Sequence, residues 1–293
     1  MADARKLAAA ALLRVEADGG YSNIVLNSAL NTSEISHADR ALASALFYGV
    51  LDRRITIDWL LSKHIKTPLK KVAPYTLTVL RCAVYQIAFM EKIPESAAVN
   101  EAVKLIKASG ERRNAAFVNA VLRNIIRTGT DLPYGNDVRT LSVRYSCPEW
   151  IVKSFINDYG EENAVELLSQ SLKTPPVTVR VNTVRTTPER LIKILEENNV
   201  KAAGTETENA LTISITGDIT ALLPYKEGLF HIQDTASQTA AAVLAPKSGD
   251  HVLDMCAAPG GKSFTLAEIM ENKGEITACD PVSYTHLTLP TIL

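Results

Sequence analysis

The segment from His251 to Asp280 constrains the fold more than any other part of the chain. It reads as a short buried strand (251–255), a glycine turn, a helix (about 263–272) and a second strand (275–279). This order is typical of the first βαβ unit of a sheet that binds a nucleotide or a related cofactor. An acidic residue about 20 positions after the glycine turn, as Asp280 is, suits the hydroxyl groups of a ribose. We therefore predict that a parallel α/β sheet begins here.

The glycine turn has two competing interpretations. The G-K-S ending at 261–263 is that of a phosphate-binding P-loop, but Cys256 stands where that motif needs its first glycine. Pro259 also lacks the N–H group that a phosphate cradle would use. The sequence therefore argues against a P-loop. Gly260 and Gly261 instead let the backbone approach a ligand closely, beside the free N–H groups at the start of a helix.

The first 130 residues show apolar side chains at helical spacing and no strand pattern of comparable strength, which predicts an all-helical bundle. This region carries 18 Lys and Arg against 11 Asp and Glu, a net charge of +7, whereas the remainder carries −8. The asymmetry favours a nucleic-acid partner, although excess charges can also simply solvate helices. The basic residues beside the apolar stripes are Arg5, Lys6, Arg14, Arg53, Arg54, Lys70, Lys71, Arg112, Arg113, Arg123 and Arg127.

Beyond residue 130 the pattern becomes mixed. Glycine, proline and asparagine between Thr128 and Asp137 predict a linker. Thr187 followed by Pro188 has the form of a helix start. The pattern predicts, in order, helices at 148–159 and 161–172, a strand at 177–181, a helix from 188, a strand at 211–215 and a helix at 234–244. We expect domains at 1–130, at 138–228 (small α+β) and at 229–280 (the α/β sheet).

Three segments of the chain resemble the RNA (cytosine-5)-methyltransferases that use S-adenosylmethionine. The run VLDMCAAPGGK at 252–262 matches the family's cofactor loop, PPVTVRVN at 175–182 matches its upstream strand, and GLFHIQD at 228–234 with Ser237 and Gln238 matches its approach to the sheet. Residues 1–127 resemble the NusB-like RNA-binding domain that one branch of the family carries. The resemblance extends from Arg5 to Asp280.

This resemblance implies a fold, a cofactor and a substrate. The fold is an all-α NusB-like bundle, a small α+β domain and the truncated start of a Rossmann-like α/β methyltransferase sheet. The implied cofactor is S-adenosylmethionine, the implied partner is small-subunit ribosomal RNA, and the expected state is a monomer without metal. Asp280 is expected to hold the ribose. The residues expected to surround the methionine part of the cofactor are Cys256, Ala257, Ala258, Pro259, Gly260, Gly261 and Lys262.

The same resemblance leaves the chain without a catalytic residue. In the family a cysteine thiolate adds to carbon 6 of cytosine, which makes carbon 5 nucleophilic, and a second cysteine assists product release. Both belong to Pro-Cys or Thr-Cys dipeptides on later strands, and neither dipeptide occurs here. Cys82, Cys147, Cys256 and Cys279 also lack the C-x-x-C spacing of a zinc site or a disulfide framework. We therefore expect no metal, a reducing cytoplasm and an inactive fragment.

Residues 281–293 do not fit the family, which has a helix after the second strand. The run PVSYTHLTLPTIL has no amphipathic period, and we expect a non-native tail, the alternative being a divergent natural one. With the sheet cut after two strands, Val252, Leu253, Leu266 and Ile276 are expected to be partly exposed. The apolar run at 7–13 is too short to span a membrane.

Two other functions are compatible with parts of the sequence. A free-standing RNA-binding or antitermination factor would need only the basic helical region. A transferase that uses S-adenosylmethionine on protein would need only the sheet. Residues 176–280 disfavour the first alternative, because a pure binding module has no use for the 256–262 loop followed by Asp280. The basic helical region disfavours the second.

Overall fold

The computed structural model describes residues 3–19, 21–33, 35–215 and 217–280. The chain divides into two compact units, with the division between Lys173 and Thr174. In the described part, no helix is both long and apolar enough to cross a membrane.

The described part of the first unit is helical, as predicted. Its main core is formed by the first seven α-helices, with Phe47, Leu80 and Leu122 fully buried. The α-helices are α1 (Ala4–Asp18), α2 (Ser22–Asn31), α3 (His37–Asp52), α4 (Arg54–Ser62), α5 (Pro74–Phe89), α6 (Glu95–Lys107), α7 (Ala115–Thr128), α8 (Val138–Tyr145), α9 (Glu149–Tyr159) and α10 (Glu161–Ser171).

The helices that follow the predicted linker belong to this first unit. Helix α8, which the sequence pattern did not indicate, packs against α4. The Thr56 hydroxyl donates to the Val143 carbonyl oxygen (2.6 Å), and the Ile55 amide donates to Ser146 Oγ (3.1 Å). A smaller apolar cluster joins α8, α9 and α10. The boundaries proposed at 1–130 and 138–228 therefore remain a prediction, and α8–α10 share a compact unit with the bundle.

The second unit contains two sheets in its described part. A four-stranded antiparallel sheet has the order β2-β3-β1-β4, and a two-stranded parallel sheet pairs β5 with β6. The elements are β1 (Val177–Val181), α11 (Pro188–Glu197), β2 (Lys201–Gly204), β3 (Ala210–Ser214), α12 (Leu223–Lys226), β4 (Phe230–Ile232), α13 (Thr235–Leu244), β5 (His251–Asp254), α14 (Gly261–Ile269) and β6 (Glu275–Ala278).

Strand β1 lies inside the antiparallel sheet and uses both of its faces. Successive side chains of a strand point to opposite sides. Val179 and Val181 therefore pack on one side with Leu191 and Leu195 of α11. Arg180 is buried on the other side. The strand, and the Thr187 cap with Pro188 in the first turn of α11, agree with the sequence prediction. Strands β2 and β4 are short and were not predicted as strands.

The expected partial exposure around the parallel strand pair is correct at three positions and wrong at one. Leu253 is 59% exposed, and Val252 and Ile276 are half-buried. Leu266, predicted to be partly exposed, is buried because α13 packs against α14. The predicted tail, residues 281–293, lies outside the described residues.

Candidate cofactor site

The candidate site is the loop between β5 and α14, at the carboxyl edge of the parallel strand pair. The pairing runs from His251 opposite Glu275 to Asp254 opposite Ala278. The carboxyl ends of both strands therefore meet at one edge, where open α/β sheets bind their ligands. Helix α14 begins at Gly261, two residues earlier than predicted, and both strands end one residue earlier. Asp280 follows β6 at the same edge.

Two backbone amides tie the loop to the end of β6. The Ala257 amide donates to the Cys279 carbonyl oxygen (3.0 Å), and the Ala258 amide donates to Asp280 Oδ2 (3.1 Å). The predicted loop residues and the predicted ribose acid are thus brought together by contacts within the protein. Because one carboxylate oxygen already holds the loop, Asp280 has a structural role in addition to any ligand contact.

Asp254, at the end of β5, fixes the other side of the loop. Its side chain is buried; Oδ2 accepts from the Ser263 hydroxyl (2.7 Å) and Oδ1 accepts from the Cys256 amide (3.3 Å). The carboxylate therefore joins the loop to the first turn of α14. Asp254 was not predicted as a site residue from the sequence, although an acid that ends a strand just before a glycine turn could have indicated it.

Gly260 needs to be glycine for its backbone conformation. Its φ of +107° lies where side chains are strained, and it caps α14. An added Cβ would also lie 3.3 Å from the Phe264 ring. Gly261 has no positive φ, and a Cβ there would meet Gln233 Nε2 at an ordinary 3.6 Å. The protein atoms alone therefore require glycine at 260 and leave space at 261.

A buried charged cluster holds α14 against the antiparallel sheet. Arg180 Nε donates to Glu268 Oε2 at 3.0 Å, and both side chains are less than a tenth exposed. Burial raises the pKa of Glu268 to about 7, against the opposing effect of Arg180. His231 Nδ1 lies 3.8 Å from Glu268 Oε1, and burial lowers the pKa of His231. We call Arg180, His231 and Glu268 the buried charge cluster; sequence reasoning did not identify it.

Glutamine side chains extend this contact between sheet and helix. Gln233 Oε1 accepts from the Thr265 hydroxyl (2.7 Å) and lies 3.1 Å from His231 Nε2, while Gln238 Nε2 donates to the Gln233 carbonyl oxygen (3.0 Å). Both glutamines belong to the segment whose sequence matches the family's approach to the sheet. Gln233 therefore holds the first half of α14, and Gln238 of α13 holds the backbone of Gln233.

The four cysteines differ in their surroundings. Burial raises the pKa of Cys82 to about 12 and raises that of Cys147. Cys256 and Cys279 are exposed at the loop and just after β6. A reactive cysteine needs a thiolate favoured by its environment, so Cys82 and Cys147 are unsuited to nucleophilic chemistry.

Comparisons with protein families give the chain three successive matches. Residues 2–127 match the NusB family, residues 147–220 match the ferredoxin-like domain of RsmF/B-like methyltransferases, and residues 241–287 match the family described as 16S rRNA methyltransferase RsmB/F. The order agrees with the resemblance predicted from the sequence, which is confirmed.

Curated relatives match along most of the chain. The Bacillus subtilis protein named "Probable ribosomal RNA small subunit methyltransferase B" is 38% identical over 279 residues, which is 94% of this chain and 62% of the relative. The protein of the same name from Synechocystis is 31% identical, over 96% of this chain and 64% of the relative. The chain thus spans less than two thirds of the length of these relatives.

A solved structure supports the fold. The structure titled "Crystal Structure of PH0851" aligns with a TM-score of 0.74 at 22% identity, covering all of this chain and 69% of its own. At this identity the similarity establishes the fold class and no more.

Proposed function

Because the chain carries a NusB-family domain followed by methyltransferase domains of the RsmB/F type, we propose that it is part of an enzyme that methylates carbon 5 of a cytosine in small-subunit ribosomal RNA. The methyl donor is S-adenosylmethionine. The observation that carries the proposal is the glycine loop at the carboxyl edge of β5 and β6, tied to Asp280 through the Ala258 amide.

The residues of this edge suit S-adenosylmethionine. The amides at the start of α14 form the positive end of a helix, which favours the carboxylate of the methionine part. Gly260 keeps side-chain atoms away from the turn, and Asp280 offers a carboxylate for the ribose hydroxyls. The bound cofactor supplies an electrophilic methyl group on its sulfonium. The proposed surroundings of its methionine part are Cys256, Ala257, Ala258, Pro259, Gly260, Gly261 and Lys262.

Asp280→Ala is expected to weaken binding of S-adenosylmethionine about 10- to 150-fold, because hydrogen bonds to a charged group contribute about 1.5–3 kcal/mol. The measurement is calorimetric titration of the chain extended past Asp280 with the corresponding sequence of the Bacillus subtilis relative. Asp280→Asn keeps an acceptor for the Ala258 amide and removes the charge, so it also weakens binding if the carboxylate holds the ribose. If Asp280→Asn binds S-adenosylmethionine with wild-type affinity, the carboxylate only accepts the hydrogen bond from the loop and does not hold the ribose.

Gly260→Val is expected to reduce affinity to a similar extent in the same titration. Valine is strained at a φ of +107° and would fill space beside the Phe264 ring. The matched control is Gly204→Val in β2, where φ is not positive and an added Cβ has no protein atom within 4 Å. Equal losses in the two variants would indicate general destabilisation and would remove the loop from the cofactor site.

The chain as it stands is expected to transfer no methyl group. Addition of a thiolate to carbon 6 of cytosine needs an activated cysteine. Burial raises the pKa of Cys82 and Cys147. Cys256 and Cys279 do not stand in the Pro-Cys or Thr-Cys dipeptides that carry the family's catalytic cysteines. The test incubates the chain and its extended form with unmethylated small-subunit ribosomal RNA and labelled cofactor. We expect label in cytosine only with the extended form. Label incorporated by the unextended chain would return Cys256 and Cys279 to consideration, and label in neither would contradict the proposed reaction.

A further inference from the structure

Several basic residues of the first unit already have partners within the protein. Arg5 Nε donates to Gln86 Oε1 (2.8 Å), and Arg54 lies 3.5 Å from Glu16. The guanidinium of Arg53 stands 5.0 Å above an aromatic ring. The charge or the N–H groups of these cations are thus partly used in contacts within the protein. A surface for a polyanion is therefore better sought where guanidinium groups are exposed and not paired with carboxylates.

Arg123 and Arg127 meet this condition on the exposed face of α7. They are four positions apart and therefore lie one above the other on the helix. Arg123 Nε donates to Asn119 Oδ1 (3.0 Å), and Arg127 Nη2 donates to Asn124 Oδ1 (2.6 Å). Within the described residues neither guanidinium has a carboxylate at ion-pair distance. Each side chain is thus oriented by a neutral amide, which leaves its charge and its remaining N–H groups for another acceptor.

His64, just after α4, contacts the asparagine that orients Arg127. The Asn124 amide nitrogen lies 2.9 Å from His64 Nδ1, while the same amide's oxygen holds Arg127. Burial, with a smaller effect of Lys63, lowers the pKa of His64. The lowered pKa favours the neutral ring, which can accept the Asn124 amide hydrogen. This chain of contacts holds the arginine in place without neutralising it.

Three shallow depressions adjoin one another around these arginines. Two of them share Arg123 and Arg127, and the third shares Asn100 with one of these two. They form one continuous surface along α6 and α7. Six of its polar residues, which we call the α6–α7 basic surface, are Asn100, Lys104, Lys107, Asn119, Arg123 and Arg127. The other polar residues that line the depressions are His64, Glu95, Ser96 and Asn124.

The composition of this surface fits a single-stranded nucleic acid better than an acidic protein. Four cations and two amides can contact phosphates and base edges, and Phe117, 38% exposed, offers a ring on which a base can stack. Two acids belong to α6: Glu95 lines one of the depressions, and Glu101 is the ion-pair partner of Lys104. Glu101 pairs with Lys104 at 3.4 Å across a solvent-exposed contact, and such contacts contribute little. The net charge of the surface stays positive.

We propose that the α6–α7 basic surface binds single-stranded RNA, with Arg123 and Arg127 on neighbouring phosphates. The inference rests on the proposed function, in which RNA is the substrate, and adds the place where the first unit holds it. Arginine suits this task because its planar guanidinium donates two parallel hydrogen bonds to phosphate oxygens.

The test measures binding of the full chain to a fluorescent single-stranded RNA of mixed sequence at increasing salt. Each phosphate contact contributes about 0.7 to the slope of log K against log salt for single strands. The double variant Arg123→Gln/Arg127→Gln should therefore lower the slope by about 1.4 and weaken binding roughly 25-fold at about 0.1 M salt. The matched control is Lys70→Gln/Lys71→Gln, which removes the same charge from exposed residues that line none of the three depressions.

The outcomes separate this inference from the proposed function. A lower salt slope and a weaker affinity in the arginine variant, with neither change in the lysine variant, support RNA binding at the α6–α7 basic surface. If wild type and arginine variant bind equally, or the lysine variant loses as much as the arginine variant, the surface is wrong although RNA binding stands. If the wild-type chain shows no affinity even at low salt, RNA docking by the first unit is contradicted together with the surface.

Discussion

Glu268→Met is expected to destabilise the second unit by about 3–5 kcal/mol, because it leaves a buried arginine without its carboxylate. Arg180 is 7% exposed at its side chain and Glu268 is its ion-pair partner. Arginine stays protonated at any pH the fold tolerates, so its charge has no means of neutralising itself. The double variant Arg180→Met/Glu268→Met removes both charges and should recover most of the loss.

The single variant Arg180→Met should cost less than Glu268→Met. When the arginine is removed, the carboxyl can bind a proton and become neutral, and burial already raises the pKa of Glu268 to about 7. This asymmetry distinguishes a buried ion pair from two side chains that merely fill space. Equal losses in the two single variants would contradict the account.

The pH dependence of Glu268 follows from the same burial. Its pKa of about 7 in the folded chain exceeds its ordinary value of 4.5, so the folded state holds the proton more tightly. The contribution of Glu268 to the free energy of unfolding is fully present below pH 4.5. It is lost as the pH rises through about 7. His231 acts in the opposite direction, because its lowered pKa makes protonation unfavourable in the fold. The difference between wild type and the double variant across this range measures the contribution of Glu268 together with the change in His231, whose pKa Arg180 also lowers.

Hydrogen exchange of the β1 and β3 amides measures this stability in the full chain. Both tryptophans, Trp59 and Trp150, lie in the first unit. Their fluorescence therefore reports unfolding of the first unit and serves as an internal control for the second. The matched surface variant is Arg190→Met, since Arg190 is exposed on α11. It should leave exchange almost unchanged, and a loss comparable to that of Glu268→Met would overturn the assignment.

Arg81→Met is expected to destabilise the first unit by a similar amount, about 3–5 kcal/mol. Arg81 lies on α5 with 7% of its side chain exposed. Its Nε and Nη2 donate to the two carboxylate oxygens of Asp58 at 2.7 and 2.8 Å, and Nη1 donates to Glu16. One guanidinium therefore links α1, α4 and α5, and its removal leaves two carboxylates facing each other across a partly buried space.

Tryptophan fluorescence during urea unfolding measures this loss, because Trp59 is next to Asp58 in α4. The control is Arg54→Met, which removes an arginine that lies 3.5 Å from the same Glu16 but is 51% exposed. An exposed pair contributes about 0–1 kcal/mol, so the control should be nearly neutral. If both substitutions were equally harmful, burial of Arg81 would not explain its contribution.

Local sequence signals predicted much of this protein, because their causes act between near neighbours. Strand β1, the Thr187 cap with Pro188, and the glycine turn before α14 are encoded by alternation, capping and backbone freedom within a few residues. The family resemblance then predicted the order of the domains, which the comparisons confirm. The assignment of Asp280 and the loop to a cofactor remains a prediction, although the Ala258–Asp280 contact brings them together.

Only the tertiary structure identified the contacts that hold these parts in place. Arg180 and Glu268 are 88 positions apart, and Arg81 and Glu16 are 65 apart, so no local period relates them. A charged residue in a strand or helix pattern looks like surface until the fold places its partner against it. Leu266 was wrongly expected to be partly exposed, because the packing of α13 against α14 is not visible in the local pattern. The sequence determined the loop and most of the elements, although not α8, β2 or β4, and packing over long separations decided which charges are buried.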